Sequence, residues 1–158
     1  MSFSIVVVLH DSAAHLRRLL ASLDAHLAQR PQVICVDSGS RDDGAQVARE
    51  WGAQTLVLDG NPGFGTANNA GIALAAHPVS ALLNPDCLAL DDGLERLATL
   101  AAARRALVVP RLLNADGSVQ RSAHPPPGGR EAYLAALVPP RVLPRAARER
   151  LEPFRAGA

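Results

Sequence analysis

The sequence predicts an α/β fold, with helices on both faces of a mainly parallel sheet in three layers. Two observations carry this. Short β-branched apolar runs, of the kind buried on both faces, alternate with stretches of helical period. The chain is 158 residues long, 48% hydrophobic and 20% charged, which suits one soluble globular core.

The elements follow in order. Ser4–Leu9 is a buried strand. Asp11 and Ser12 supply capping side chains for a helix with Leu16, Leu19, Leu20, Leu23 and Leu27 on one stripe. Pro31 ends the connection, and Gln32–Val36 is a second strand. Asp42 or Asp43 caps a short helix to Trp51, with Gly52 at its stop position. Gln54–Leu58 is a third strand and is followed by a glycine-rich loop, Gly60 to Gly65. A helix is expected from Thr66 to Ala76, then a strand Ser80–Leu83 that stops at Asn84-Pro85-Asp86. Leu94, Leu97 and Leu100 mark a helix starting near Asp91, and Leu107–Val109 is expected as a fifth strand. The segment Arg111 to Arg121 reads as a hairpin around Asp116-Gly117.

Charge is uneven along the chain. Residues 1–109 carry 8 Arg against 11 Asp and Glu, whereas residues 110–158 carry 8 Arg against 4 and hold 8 of the 12 prolines. All 16 basic residues are arginine and 29 residues are alanine, a bias that points to GC-rich codons rather than to function. The basic residues are not interleaved with aromatics, which argues against a nucleic-acid surface. No apolar stretch has the length of a membrane span, and the run Ile5–Leu9 is too short for a signal-peptide core. The expected location is cytoplasmic. Cys35 and Cys87 are then read as reduced, packed thiols.

On a parallel sheet, ligands sit beyond the carboxyl ends of the strands. His10 and Asp11 follow the first strand, Asp37-Ser38-Gly39-Ser40 the second, Asp59 to Gly65 the third, and Asn84-Pro85-Asp86 the fourth. Acids and amides thus converge on one rim, as a nucleotide with its metal ion requires. Each also admits a purely structural role. Asp37 suits a turn, Asn68 and Asn69 a helix start, Asp86 a helix cap, and His10 an ordinary rim histidine. The glycine loop follows the third strand, not the first, which argues against a dinucleotide fingerprint.

Taken in order, the segments Val36-Asp-Ser-Gly-Ser-Arg-Asp-Asp-Gly44, Asn61-Pro-Gly-Phe-Gly-Thr-Ala-Asn-Asn-Ala-Gly-Ile72 and Leu82-Leu-Asn-Pro-Asp86 resemble the motif series of inverting family-2 glycosyltransferases of the GT-A (Rossmann-like) fold. Pro110 to Arg121 resembles a further segment of the bacterial rhamnosyltransferase branch, and the resemblance covers residues 3 to 125. It implies a nucleotide-diphosphate sugar as donor, a dTDP- or UDP-sugar such as dTDP-rhamnose. Asp37 would accept the imide N–H of uracil or thymine. Asp86 would hold a divalent cation, Mg²⁺ or Mn²⁺, on the diphosphate. His10, Asp11, Ser38, Gly39, Gly63, Gly65, Asn68, Asn69 and Asn84 would line the donor. Two departures stand out: Asn84 replaces the first carboxylate of the Asp-x-Asp motif, and His10-Asp11 stand where the branch has Tyr-Asn.

An inverting transferase also needs a general base for the acceptor hydroxyl, and no matching acidic pair follows Asp116. The catalytic base is therefore unknown, and the chain reads as stopping before the acceptor half. Residues 1–122 are expected to form the donor-binding subdomain and residues 123–158 a Pro- and Arg-rich tail. Three explanations remain open: a shortened gene, an acceptor half supplied by another chain or by a neighbouring subunit of a homo-oligomer, or a non-catalytic nucleotide-sugar-binding module. In the enzyme reading the acceptor is a cell-envelope polysaccharide or lipid-linked glycan. The tail, with Leu134, Leu137, Val138, Leu143 and Leu151 among arginines, would suit peripheral contact at the inner face of the membrane.

Overall fold

A computed structural model of the chain describes residues 2–120. The elements run β1 (Ser4–Leu9), α1 (Ala13–His26), β2 (Gln32–Asp37), α2 (Gly44–Trp51), β3 (Gln54–Val57), α3 (Phe64–Ile72), β4 (Ser80–Leu83) and α4 (Gly93–Arg104). The four strands form one parallel sheet in the order β3-β2-β1-β4. Leu9 stands opposite Asp37, Asp37 opposite Val57, and Val7 opposite Leu83, so all four carboxyl ends open on one edge.

Strand alternation divides the core in two. Ile5, Val7, Leu9, Val33 and Cys35 face α1, α2 and α4, where Leu16, Leu19, Leu20, Leu23, Val47 and Ala98 close the first core. Val6, Val8, Ile34 and Val36 face the other way and are covered by Ala67 of α3 with Leu56 and Leu58. β1 is buried at all six positions, which is why its sequence has no polar alternation. Right-handed crossovers account for the layering. Steps from β1 to β2 to β3 run in one direction with α1 and α2 on one face. The return from β3 past β1 to β4 reverses direction, so α3 must cross on the opposite face.

Three local expectations are modified. Helix α3 begins at Phe64 and ends at Ile72, because Gly63 (φ +94°) starts it and Gln32 captures its far end. The Gln32 amide donates to the Leu74 carbonyl (3.1 Å) and accepts from the Ala76 N–H (2.8 Å), and the chain tightens into i→i−3 bonds. Helix α1 lacks the expected cap from Ser12 or Asp11. Its Ala13 N–H instead donates to Asp42 Oδ2 across the loops, at 2.7 Å. Leu107–Val109 forms no strand, and Leu107 is 93% exposed. Helix α4 lies on the face of α1, so a right-handed crossover after it leads back toward positions that β1 already fills.

Gly52 ends α2 in the left-handed region (φ +96°), as its position predicts. The chain divides after Pro110. Of the second unit, residues 111–120 are described, and they form the expected hairpin. Leu113 and Val119 bridge antiparallel, and Gly117 (φ +81°) turns the chain. The expected boundary at residue 122, the tail 123–158 and its amphipathic stretch lie outside the described residues.

Candidate functional site

The rim is built from three loops joined by hydrogen bonds. Asp37, the last residue of β2, is only 5% exposed. Its Oδ1 accepts the Ser40 N–H (2.9 Å), closing the Asp37-Ser38-Gly39-Ser40 turn on its own first side chain. Ser38, also buried, donates its N–H to the Leu9 carbonyl and its hydroxyl to Asn61 Oδ1 (3.1 Å). The Ser38 carbonyl accepts from His10 Nδ1 at 2.8 Å. A carbonyl only accepts, so Nδ1 carries the proton and Nε2 is the remaining ring nitrogen.

Asp11 adopts φ +49°, the left-handed region that Asp tolerates better than most side chains. The turn sends its carboxylate to the Arg41 N–H (2.6 Å) and its own N–H to Ser40 Oγ (3.2 Å). The Arg41 amide, with smaller contributions from His10 and the Arg41 charge, holds the Asp11 carboxyl below the usual range. Asp42 completes the junction: one oxygen takes the Ala13 N–H of α1, the other the Gly44 N–H of α2 (3.0 Å). One carboxylate therefore serves two helix N-termini.

The glycine loop lies close against this turn. A Cβ placed on Gly39 (φ +74°) would come within 2.9 Å of the Gly60 backbone, so a side chain there is excluded twice over. Gly63 and Gly65 are exposed and have open space around them. Asn68 and Asn69 separate: Asn68 is buried and donates its amide to the Phe64 carbonyl (2.9 Å), while Asn69 is exposed. At the end of β4, Asn84-Pro85-Asp86-Cys87 turns with the Cys87 N–H on the Asn84 carbonyl (3.2 Å). Asn84 and Asp86 are exposed, and Asp86 has no hydrogen bond or ion pair among the described residues. No cluster of three or more His, Cys, Asp or Glu is present among those residues. A polar depression of about 210 Å³ lies elsewhere, lined by Phe3, Arg30, Gln32, His77 and Glu95 at the amino ends of the strands.

The structure thus brings His10, Asp11, Asp37, Ser38 and Gly39 into one bonded unit with the glycine loop, and turns the Asn68 side chain inward. Two members of the rim, Asn61 and Asp42, lay in the segments singled out by sequence but were not among the expected site residues. The Asn61-Pro62-Gly63 signature of an Asx turn was the signal for the first. Asp42 takes the Gly44 N–H at the start of α2, as one of the two expected caps of that helix, but its bond to Ala13 spans 29 residues and left no local signal.

A parallel 3-2-1-4 sheet with its polar rim at the carboxyl ends defines a Rossmann-like α/β domain of the GT-A type. The family model for glycosyl transferase family 2 matches residues 4–150, and the chain belongs to that family. An uncharacterized glycosyltransferase of Mycobacterium tuberculosis is 41% identical over 68 residues, covering 41% of this chain and 31% of the relative. The S. aureus TarS 1–349 structure in complex with UDP-GlcNAc superposes with TM-score 0.58 at 22% identity, over 66% of this chain and 32% of that one. The mannosyltransferase PcManGT of Pyrobaculum calidifontis, in complex with GDP-Man and Mn²⁺, superposes with TM-score 0.53 at 20% identity, over 71% and 34%. The chain matches about a third of the length of each of these proteins. Among the described residues no helix is long and apolar enough to cross a membrane.

Proposed function

We propose that the rim binds a uracil or thymine nucleoside-diphosphate sugar, and that residues 1–122 are the donor-binding part of an inverting glycosyltransferase. The buried Asp37 carboxylate carries the reading. One oxygen is held by the Ser40 N–H, which leaves Oδ2 as an oriented acceptor among the described residues. An imide N–H is the donor that such a carboxylate rewards, and a base without one leaves it desolvated and unpaired. His10 and Asp11 flank the base, while Gly63, Gly65, Asn69 and Asn84 follow the diphosphate and sugar. Asp86, exposed and uncommitted, is the protein ligand for Mg²⁺ or Mn²⁺. A single carboxylate suffices where phosphates and water complete the shell. The bound ion would neutralise charge developing on the departing nucleoside diphosphate. We take dTDP-rhamnose as donor and a cell-envelope polysaccharide or glycolipid as acceptor, on motif likeness to the rhamnosyltransferase branch. Melting temperature tests the site: dTDP or UDP with Mn²⁺ should raise it, and Asp37→Ala or Asp86→Ala should remove the rise. Equal stabilisation by ADP sinks the base assignment.

A second reading, donor binding without transfer, draws on the acids beyond β4. Asp91 and Asp92 pair with Arg96, Glu95 accepts the Ala28 N–H, and Asp116 is taken by Ser118. Each of these described carboxylates is engaged by a neighbour at one oxygen or more, which favours a structural role over that of acceptor base. Sugar transfer or donor hydrolysis by the chain, followed by nucleotide release, refutes this second reading.

A further inference from the structure

We propose that residues 100–109, the end of α4 and the segment after it, form a docking surface for an anionic lipid bilayer. Leu107 is 93% exposed and Val109 59%, the former more than any other large apolar side chain among the described residues. Val108 between them is half-buried, so the segment is held with one side inward and two apolar tips outward. Leu100 is exposed on α4, and Arg104 stands one turn further along the same face. Arg104 and Arg105 are exposed and have no ion pair among the described residues. Arg105 caps α4 at φ +48°, a left-handed position that favours glycine. A long cationic side chain is carried there all the same.

The charge beside the tips selects the occupant. No Asp or Glu occurs between Glu95 and Asp116, and Arg96 is already paired with Asp91 and Asp92. Arg104 and Arg105 therefore carry positive charge with no acid beside them in the chain. The five residues from Arg105 to Val109 span at most about 17 Å, so cations and apolar tips can meet one surface together. An anionic headgroup layer draws in each nearby arginine, by about fivefold in affinity, while leucine and valine tips reach the acyl boundary. A stable protein partner needs about 800 Å² of complementary surface on each side. Two apolar side chains next to free cations fall short of that, and they match a bilayer interface.

Co-sedimentation of the full chain with lipid vesicles tests the proposal. The chain should bind vesicles of phosphatidylcholine mixed with phosphatidylglycerol, less so as salt rises, and bind phosphatidylcholine alone far more weakly. Arg104→Gln combined with Arg105→Gln should lower partitioning onto the mixed vesicles about twentyfold. Leu107→Ser combined with Val109→Ser should abolish it. Both double variants should melt at the wild-type temperature, because the altered side chains are exposed. Leu107→Trp should bind at least as tightly as wild type, since an indole ring favours the bilayer interface. Arg145→Gln with Arg148→Gln and Arg150→Gln removes charge outside the segment and should leave binding in place. Failure of the wild-type chain to bind the mixed vesicles overturns the proposal, as does loss of binding in this last variant alone. A lowered melting temperature for the Leu107 and Val109 double variant also overturns it, since the tips would then be packed within the protein. So does conversion of a dimer to a monomer by that variant in analytical ultracentrifugation, which would make a second copy the occupant. None of these readouts depends on donor binding.

Discussion

Gly71 is the position where the packing of α3 can be tested most sharply. The residue is buried on the inner side of the helix, and a Cβ added there would lie 2.4 Å from Val6 Cγ1 and 3.0 Å from Val36 Cγ2. Both valines are β-branched and lie in the centre of the sheet, so neither can rotate away without losing its own packing. Gly71→Ala gains about 1 kcal/mol of helix propensity. Overpacking a close-packed site costs about 1–3 kcal/mol, and a contact this short belongs at the upper end. The net expectation is a loss of about 2 kcal/mol, or a fall of about 4–8 °C in melting temperature for a chain of this size. Val6→Ala should relieve it: the double variant is expected to be at least about 1 kcal/mol more stable than the two single losses predict. Chemical denaturation of the four proteins measures both quantities. A rise in stability for Gly71→Ala, or strict additivity with Val6→Ala, refutes the claim that this glycine sets the distance from helix to sheet.

Other perturbations give separable outcomes. Gly39→Ala meets both a positive φ and the Gly60 backbone. It should lower stability by about 2 kcal/mol in urea unfolding and weaken UDP binding, read by calorimetry. Asp42→Ala removes a partner from α1 and from α2, and a loss of about 1 kcal/mol per helix terminus is expected in urea unfolding. Asp11, Asp43 and Asp91 have carboxyl pKa values lowered by the Arg41 amide, Arg17 and Arg96 respectively, so the unfolded chain binds more protons as pH falls. Their contribution is complete above the unfolded value of 3.8 and is lost as pH drops through the lower folded values, and Asp11→Asn should flatten that part of the acid melting profile. Burial pushes the Cys35 thiol up to about 12, so iodoacetamide should label it only in denaturant, whereas half-buried Cys87 reacts first.

What could be read in the sequence was local. The β-branched runs at Ser4–Leu9 and Gln32–Val36, the stop at Gly52 and the turn at Asp116-Gly117 depend on side-chain shape and φ preference within a few residues. The C-terminal limit of α3 is set by Gln32, some forty residues earlier in the chain, and nothing between Thr66 and Ala76 records that. Leu107–Val109 has strand composition, yet a right-handed crossover from α4 leads toward β1, whose two sides are already paired, and the segment forms no strand. In the site, residue types and order pointed to the rim, but not to what each side chain does there. Asn68 and Asn69 look equivalent in sequence; helical rotation alone buries the first and exposes the second.

The division between sheet and rim also locates selectivity. One solved structure that shares this fold holds UDP-GlcNAc and another GDP-Man with Mn²⁺, at TM-scores of 0.58 and 0.53. A sheet common to both cannot by itself distinguish uracil from guanine. Discrimination has to arise in residues beyond the strands, and in this chain those residues are bonded to one another rather than free to adapt. His10 is held by Ser38, Ser38 by Leu9 and Asn61, Asp11 by Arg41, and Asp37 by Ser40. On the nucleotide-sugar reading proposed above, a base that mismatches the Asp37 carboxylate would meet a surface that cannot rearrange cheaply, and the mismatch would appear as lost affinity. Loosening the rim through Asn61→Ala should then lower affinity for UDP more than for ADP, narrowing the preference while the sheet stays intact. An unchanged ratio of the two affinities would show that rim rigidity plays no part in choosing the base.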